Sequence, residues 1–359
     1  MTIGLSGAAK RRLAGLKPGE RIDAEFALEA ARTASVHELG EAALRQRRAR
    51  HGDRAFYVYN QHLNYTNICR NQCRFCAYFK RKGEEGGYTY SLERIWKKLT
   101  AKTNLPVREI HIVGGLNPDL PYQYYLDMLA LCRKIRPEAV IKAFTAVEVA
   151  HFADTEGMDE KSVLEEMRRA GLDILPGGGA EIFAPAMRAR LCPEKISGER
   201  WLRIHGLAHD MGMKTNCTML FGHIESWEDR IHHLECLRNL EDEKPGFVCF
   251  IPLAYQPRNN ELAAAGPTGE DYLRTISLSR IFLDNIAHIK AYWAFAGIKA
   301  AQMALWAGAD DFDGTIVEEK IGHAAGAVSP TGLTVEELTQ AIAATGFIPV
   351  QRDTFFREI

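Results

Sequence analysis

Asn64-Tyr65-Thr66-Asn67-Ile68-Cys69-Arg70-Asn71-Gln72-Cys73-Arg74-Phe75-Cys76-Ala77-Tyr78 follows an apolar-alternating run from Phe56 to Leu63. Alternation of that period marks a strand, so a strand empties into a short loop with three thiols in C-x3-C-x2-C spacing. Three sulfurs on one loop can wrap one face of a cubic 4Fe–4S cluster and leave its fourth iron without a protein ligand. An open metal position is a place for chemistry, as it is at a catalytic zinc. A structural zinc loop would draw its fourth ligand from a second C-x2-C pair, and the sequence has none. A disulfide with a spare thiol would suit an exported protein. The chain has eight cysteines in 359 residues, so chance produces this spacing in on the order of one such chain in a few hundred.

Around this loop the composition is ordinary. A length of 359 residues allows one large domain or two smaller ones, and 46% hydrophobic with 25% charged residues matches a globular enzyme with a full core. A formal net charge of −1 gives no reason to expect nucleic acid as a partner. Cys132, Cys192, Cys217, Cys236 and Cys249 have no metal-ligand spacing and read as buried reduced thiols. Free thiols beside a cluster point to the cytoplasm. Arg11-Arg12 is not followed by the apolar segment of an export signal, and no apolar run approaches a membrane span.

Residues 1–22 read as a loosely held lead-in. Helical spacing of apolar residues over Asp23–Arg50 predicts one or two amphipathic helices, with Arg45, Arg47, Arg48 and Arg50 forming a solvated face near a helix C-terminus or else a patch for an acidic partner. Predicted strands then alternate with helices. The strands are Phe56–Leu63, Glu109–Val113, Ile141–Val147, Asp173–Leu175, Lys214–Leu220, Phe247–Leu253, Ile289–Phe295 and Asp310–Phe312. The helices are Leu92–Thr100, Tyr122–Ile135, Lys161–Arg169, Ser197–Met211, Ser226–Asn239 and Gly269–Asn285. Eight such units predict an α/β fold, a parallel (β/α)8 TIM-type barrel over residues 51–321. A helical extension at 1–50 precedes it. Residues 322–359, with a helix at Thr334–Ala344 and a strand at Phe347–Gln351, should pack on it.

Barrel enzymes build their sites from loops at the C-terminal ends of the strands. That rule selects the cysteine loop and Gly114-Gly115-Leu116-Asn117-Pro118, whose paired glycines admit a ligand or simply make a turn. It selects Thr145–Glu148, where Glu148 puts a carboxylate at a strand end. Pro176-Gly177-Gly178-Gly179-Ala180-Glu181 offers a wall without side chains, with Glu181 either touching a ligand or capping a helix. Phe221-Gly222-His223-Ile224-Glu225-Ser226 brings His223, for substrate contact or proton transfer, or for structure alone. Last come Ala254-Tyr255-Gln256-Pro257-Arg258 and the aromatics Tyr292 and Trp293, which stack on a ring or fill the core.

The cysteine spacing resembles that of the radical SAM superfamily, and Phe75 fits the aromatic which that family places before its last cysteine. Asn64–Asn67, Val113–Gly115, Ala143–Glu148 and Leu175–Glu181 are similar to its menaquinone branch, home of the aminodeoxyfutalosine synthases and the dehypoxanthine futalosine cyclases. The resemblance implies a 4Fe–4S cluster on Cys69, Cys73 and Cys76. S-adenosylmethionine (SAM) would chelate its open iron and be cleaved to methionine and a 5'-deoxyadenosyl radical. Phe75, Tyr78, Gly114, Gly115, Glu148, Glu181 and Ile224 would contact SAM. Leu116 stands where the superfamily has a glutamate, so only backbone carbonyls carry over there. A low-potential ferredoxin or flavodoxin would be the electron donor.

The runs Glu109–Pro121 and Phe183-Ala184-Pro185 look closer to the synthases. Those enzymes add the radical to the enolpyruvyl double bond of 3-[(1-carboxyvinyl)oxy]benzoate. Aryl migration and decarboxylation then give 6-amino-6-deoxyfutalosine, so SAM is a co-substrate. The cyclases instead abstract a hydrogen. Two substrate carboxylates ask for donors at the barrel mouth, with Asn64, Thr66, His223, Gln256 and Arg258 as candidates and Tyr255 and Trp293 beside the ring. A protein using its cluster only as a redox sensor would not need the deep cavity that glycine-lined strand ends imply.

Overall fold

Helices and parallel strands alternate in this chain because apolar faces recur with periods of 3.6 and 2 in turn. The computed structural model describes residues 7–101, 105–317 and 319–359. Of the expected lead-in, residues 1–6 lie outside the described residues. The next nine form α1 (Gly7–Gly15), which buries Leu13. After it come α2 (Ala24–Thr33) and α3 (Val36–His51), the latter opened by a Ser35/Glu38 capping box.

Among the described residues nine strands follow: β1 (Arg54–Val58), β2 (Asn60–Leu63), β3 (Glu109–Ile112), β4 (Val140–Ala143), β5 (Ile174–Leu175), β6 (Lys214–Phe221), β7 (Phe247–Ala254), β8 (Asp311–Gly314) and β9 (Ile348–Gln351). β2 through β7 hydrogen-bond in chain order as one parallel sheet. β1 lies in parallel between β8 and β9. β1 and β2 are successive halves of one extended stretch that changes neighbours at Tyr59. Single bridges from Phe250 to Ile289 and from Lys290 to Asp311 carry the ring from β7 to β8. The result is an eight-fold α/β barrel. Around it run α4 (Leu92–Thr100), α5 (Tyr122–Ile135), α6 (Ala146–Glu156), α7 (Glu160–Ala170), α8 (Pro185–Leu191), α9 (Gly198–Asp210), α10 (Trp227–Glu243) and α11 (Gly269–Phe282). The short α12 (Trp293–Ala296), then α13 (Ile298–Trp306), α14 (Ile321–Ala324) and α15 (Val335–Ala343) complete the chain. None of the described helices is long and apolar enough to cross a membrane.

Three local expectations are corrected. The predicted strand Ile141–Val147 stops at Ala143, because Phe144 takes φ 56° and Thr145 and Glu148 form the capping box that starts α6. Val147 and Glu148 are therefore helical; a cap outweighs the strand preference of one valine. The predicted strand Ile289–Phe295 shrinks to the two bridging residues Ile289 and Lys290, and Trp293 opens α12. Of the arginines of α3, Arg45 and Arg48 are exposed as expected, whereas Arg47 and Arg50 turn inward. Arg47 is fully buried and donates to the carbonyls of Gly52, Arg54 and Ala309. Arg50 reaches those of Asp284 and Ile286, and Arg45 those of Leu13 and Ala14. Leu13 and Ala14 close α1, the others lie in turns and loops or at the start of a strand, and the guanidinium forks satisfy their carbonyls.

The C-terminal residues add a strand to the sheet. β9 pairs along β1, and Arg352 just beyond it donates to Asp311 at 2.5 Å inside the barrel base. Asp311 also lies 3.6 Å from Lys290. Arg352→Leu should strand a buried carboxylate and lower stability by about 3–5 kcal/mol. A urea midpoint equal to that of the wild type would show that the segment is merely attached.

Candidate active site

From the end of β2 the chain crosses the barrel mouth as the cysteine loop. Little regular structure holds it; its backbone is pinned from outside. Arg70 N–H donates to Leu116 O at 2.9 Å, Gly115 N–H to Thr66 O at 3.0 Å and Cys69 N–H to Lys80 O at 3.0 Å. The paired glycines make this approach possible. A Cβ on Gly115 would stand 2.3 Å from Ile68 O, and one on Gly114 would stand 2.6 Å from the Tyr65 ring. All three thiols are free and line one cavity of about 310 Å³ beneath the loop. Cys69 Sγ accepts the Leu116 N–H at 3.3 Å. Burial raises the pKa of all three, so any metal they take must displace protons. Among the described residues, the trio of ligand atoms close enough for one ion is His51, His288 and Asp310, not these cysteines.

The cavity wall opposite the loop is glycine for a reason of packing. A Cβ on Gly177 would meet the Cys217 backbone at 2.7 Å, and one on Gly179, at φ 87°, would meet Val147 Cγ2 at 2.3 Å. Glu148 faces the cavity from the first turn of α6, accepting from Tyr65 Oη at 2.9 Å and from the Thr145 N–H at 2.7 Å. Burial pushes its pKa up to about 7, against the pull of those hydrogen bonds. Glu181, at φ 46°, accepts from Lys195 Nζ at 2.6 Å. Lys195 also stands 5.2 Å over the Phe75 ring. Burial disfavours its charge, but the neighbouring Cys73 and Glu181 outweigh that and raise its pKa.

Asn64, Phe75, Tyr78, Gly114, Gly115, Tyr255 and Gln256 also line the cavity. Asn64 Nδ2 donates to Val113 O, and Gln256 Nε2 donates to the carbonyls of Ala254 and Phe295. Five other residues picked from the sequence are not in the lining. Thr66 is buried, with its hydroxyl bonded to Tyr88 O and Thr89 Oγ1. His223 is enclosed in its own turn. Its Nε2 lies 3.1 Å from Leu220 O, and its Nδ1 accepts the Ile224 N–H at 2.7 Å and lies 2.8 Å from Glu225. Burial raises the Glu225 carboxyl, but His223 and Arg230 outweigh it and hold its pKa at about 2. Ile224 packs on the core beside them, Arg258 is exposed and covers Gly326, and Trp293 is buried with Nε1 on Gly314 O.

The cavity contains more than the strand-end rule found. His62, His111, Lys142, Lys195, Asn216, Lys290, Asp313 and Glu319 line it too, beside Tyr292, which the rule did select. A signal for most of them was present. His62, His111, Lys142, Asn216 and Lys290 are polar residues inside predicted parallel strands, which are normally apolar on both faces.

Residues 63–237 match the model of the radical SAM superfamily, and residues 244–358 match that of the CofH/MqnC C-terminal region. The sequence is 41% identical to the aminodeoxyfutalosine synthase of Thermus thermophilus, over 95% of this chain and 93% of that protein. Identity is 40% to the Streptomyces coelicolor aminodeoxyfutalosine synthase, over 94% and 91%. It is 36% to the cyclic dehypoxanthine futalosine synthase of Streptomyces coelicolor, over 95% and 86%. The fold matches the crystal structure of methylornithine synthase with a TM-score of 0.72 at 18% identity, covering 95% of this chain and 96% of that one.

The buried Glu148 makes a pH prediction for the protein without its cofactors. A carboxyl with its pKa raised from 4.5 to about 7 keeps its proton in the folded state while the unfolded chain loses it. The stability of the wild type relative to Glu148→Gln should therefore fall as pH rises from about 4.5 to 7 and level off above. Urea titrations across that range that give a constant difference would contradict it.

Proposed function

The chain belongs to the radical SAM superfamily, in the group that carries the CofH/MqnC C-terminal region, and we propose that it is an adenosyl-transferring enzyme of the futalosine route to menaquinone. In this reading SAM and 3-[(1-carboxyvinyl)oxy]benzoate are its two substrates. The adenosyl group adds to the enolpyruvyl double bond, the aryl group migrates, the acrylate carboxylate leaves as carbon dioxide, and 6-amino-6-deoxyfutalosine forms. One observation carries the reading. Three free thiols line one cavity, in a chain 41% identical to an aminodeoxyfutalosine synthase along 95% of its length. Identity to the cyclase relative is lower, at 36%.

A 4Fe–4S cluster bound to Cys69, Cys73 and Cys76 would supply the electron that cleaves SAM. The free thiols, the Leu116 N–H on Cys69 and the cavity below them fit that group. The remaining work belongs to the cavity wall. The backbone of Gly114 and Gly115 can approach the methionyl ammonium, and Glu148 presents a carboxylate beside it. Lys195 offers a cation to the methionyl carboxylate, with Glu181 holding it in place. Phe75 and Tyr78 shield the sulfonium end from water, and the glycines 177–179 leave a flat face for the adenosyl group. Asn64, Tyr255 and Gln256 are placed to touch the second substrate. Thr66, His223, Ile224, Arg258 and Trp293 act only by bracing loops. With reacting carbons held together in an enclosed site, positioning rather than acid–base chemistry directs the radical. A low-potential ferredoxin or flavodoxin would meet the cysteine loop from outside, where Arg70 and Arg74 are exposed.

Anaerobically reconstituted protein given SAM, a reductant and the enolpyruvyl benzoate should form a product with the mass of the decarboxylated adenosyl adduct. Free 5'-deoxyadenosine together with a cyclised futalosine derivative would assign the cyclase reaction instead. Replacing Cys69, Cys73 and Cys76 by alanine should remove both bound iron and adduct; turnover by that variant would refute the cluster site.

A further inference from the structure

Parallel barrel strands usually fill the interior with branched apolar side chains. Here β2, β3, β4 and β6 place His62, His111, Lys142 and Asn216 there, and all four line the cavity. Strand register puts three of them in a row: His62 is level with His111, and His111 with Lys142. The two imidazoles meet edge to face, 4.8 Å between centroids. Nε2 of His62, Nε2 of His111 and Oδ1 of Asn216 are buried and lack a hydrogen-bond partner. Native interiors seldom leave such atoms unpaired, and three on the wall of one cavity ask for a polar group from a ligand.

The donor set indicates which group. Lys142 brings a buried ammonium, 2.5 Å from Glu109. Burial lowers the pKa of both histidines, so near neutral pH each ring is uncharged and has one N–H to give. Two N–H donors beside an ammonium match a carboxylate, which only accepts. The reacting end of the proposed substrate must lie near the cysteine loop, at the mouth. Its ring carboxylate is at the other end of the molecule and points toward the barrel floor.

We propose that His62, His111 and Lys142, with Asn216 beside them, form the subsite that seats the ring carboxylate of the benzoate substrate and selects for it. The inference rests on the reaction proposed above and adds the residues that read the aromatic acid.

The test compares two substrates on anaerobically reconstituted enzyme: the enolpyruvyl benzoate, and the enolpyruvyl ether of phenol, which lacks the ring carboxylate. A site built around a polar group rejects an analogue without it, so the wild type should favour the benzoate by at least about 100-fold in kcat/KM. His62→Phe and His111→Phe keep a ring and lose the N–H, and Lys142→Met keeps the chain and loses the charge. Each should cut that preference to below about 10-fold, chiefly through KM for the benzoate. Iron content and SAM binding report whether a variant has kept its fold. A wild type that turns over both ethers equally well overturns the subsite whatever the variants do. Variants with full iron content and an unchanged preference also overturn it. Failure of the wild type to make an adduct from the benzoate would instead remove the proposed reaction.

Discussion

The absence of two β-carbons, at positions 114 and 115, lets the loop after β3 lie against the cysteine loop. With any other residue at 115, Ile68 O would be overlapped at 2.3 Å, and the Leu116 N–H would move away from Cys69. The cysteine loop has few regular hydrogen bonds of its own. Its course across the barrel mouth is therefore set by its neighbours: the Gly115 and Leu116 backbone on one side, Lys80 on another and Leu191 on a third. A scaffold that fixes a loop from outside can hold three sulfurs facing one cavity without burying the loop in a strand or helix.

Conformational strain gathers around the same cavity. Phe144, Glu181, Asp313 and Ile316 all take positive φ in β8 or in the loops that follow β4, β5 and β8, at a cost of about 1–3 kcal/mol each. Glu181 and Asp313 reach the cavity from these positions, and Phe144 precedes the capping box that aims Glu148 into it. Among the described residues, the opposite end of the barrel has one such residue, Phe356 at φ 62°, stacked on His288 and covered by Arg352, and buried ion pairs brace it. There Arg47 satisfies three carbonyls, Arg280 pairs with Asp310, and Arg352 pairs with Asp311. A base that carries stability and a mouth that carries the site are the usual division of labour in a barrel enzyme.

The cysteine loop was legible because its chemistry is local: spacing along the chain is spacing in space. Most strands and helices were legible too, since burial on one face imposes a period. α4 (Leu92–Thr100) and α5 (Tyr122–Ile135) begin and end where the apolar spacing placed them. The errors came where two local signals competed. Val147 reads as a strand residue, yet the Thr145–Glu148 cap starts a helix beneath it. His223 stands two residues past a strand that does end at the mouth, and its ring nevertheless turns back to Leu220 O and Glu225. Strand-end logic places a residue's Cα; it does not say where the side chain points.

By itself the sequence determined that a three-thiol loop follows the first strand of a parallel barrel, and which glycine-rich turns would surround it. Those are properties of residues close in the chain, and periodicity and spacing express them directly. Only the tertiary structure decided what faces the cavity floor. His62, His111, Lys142, Asn216 and Lys290 lie far apart in sequence, each a polar residue in a different predicted strand. Closure of the sheet turns them inward together, and a closed ring of strands is the one feature no local window contains.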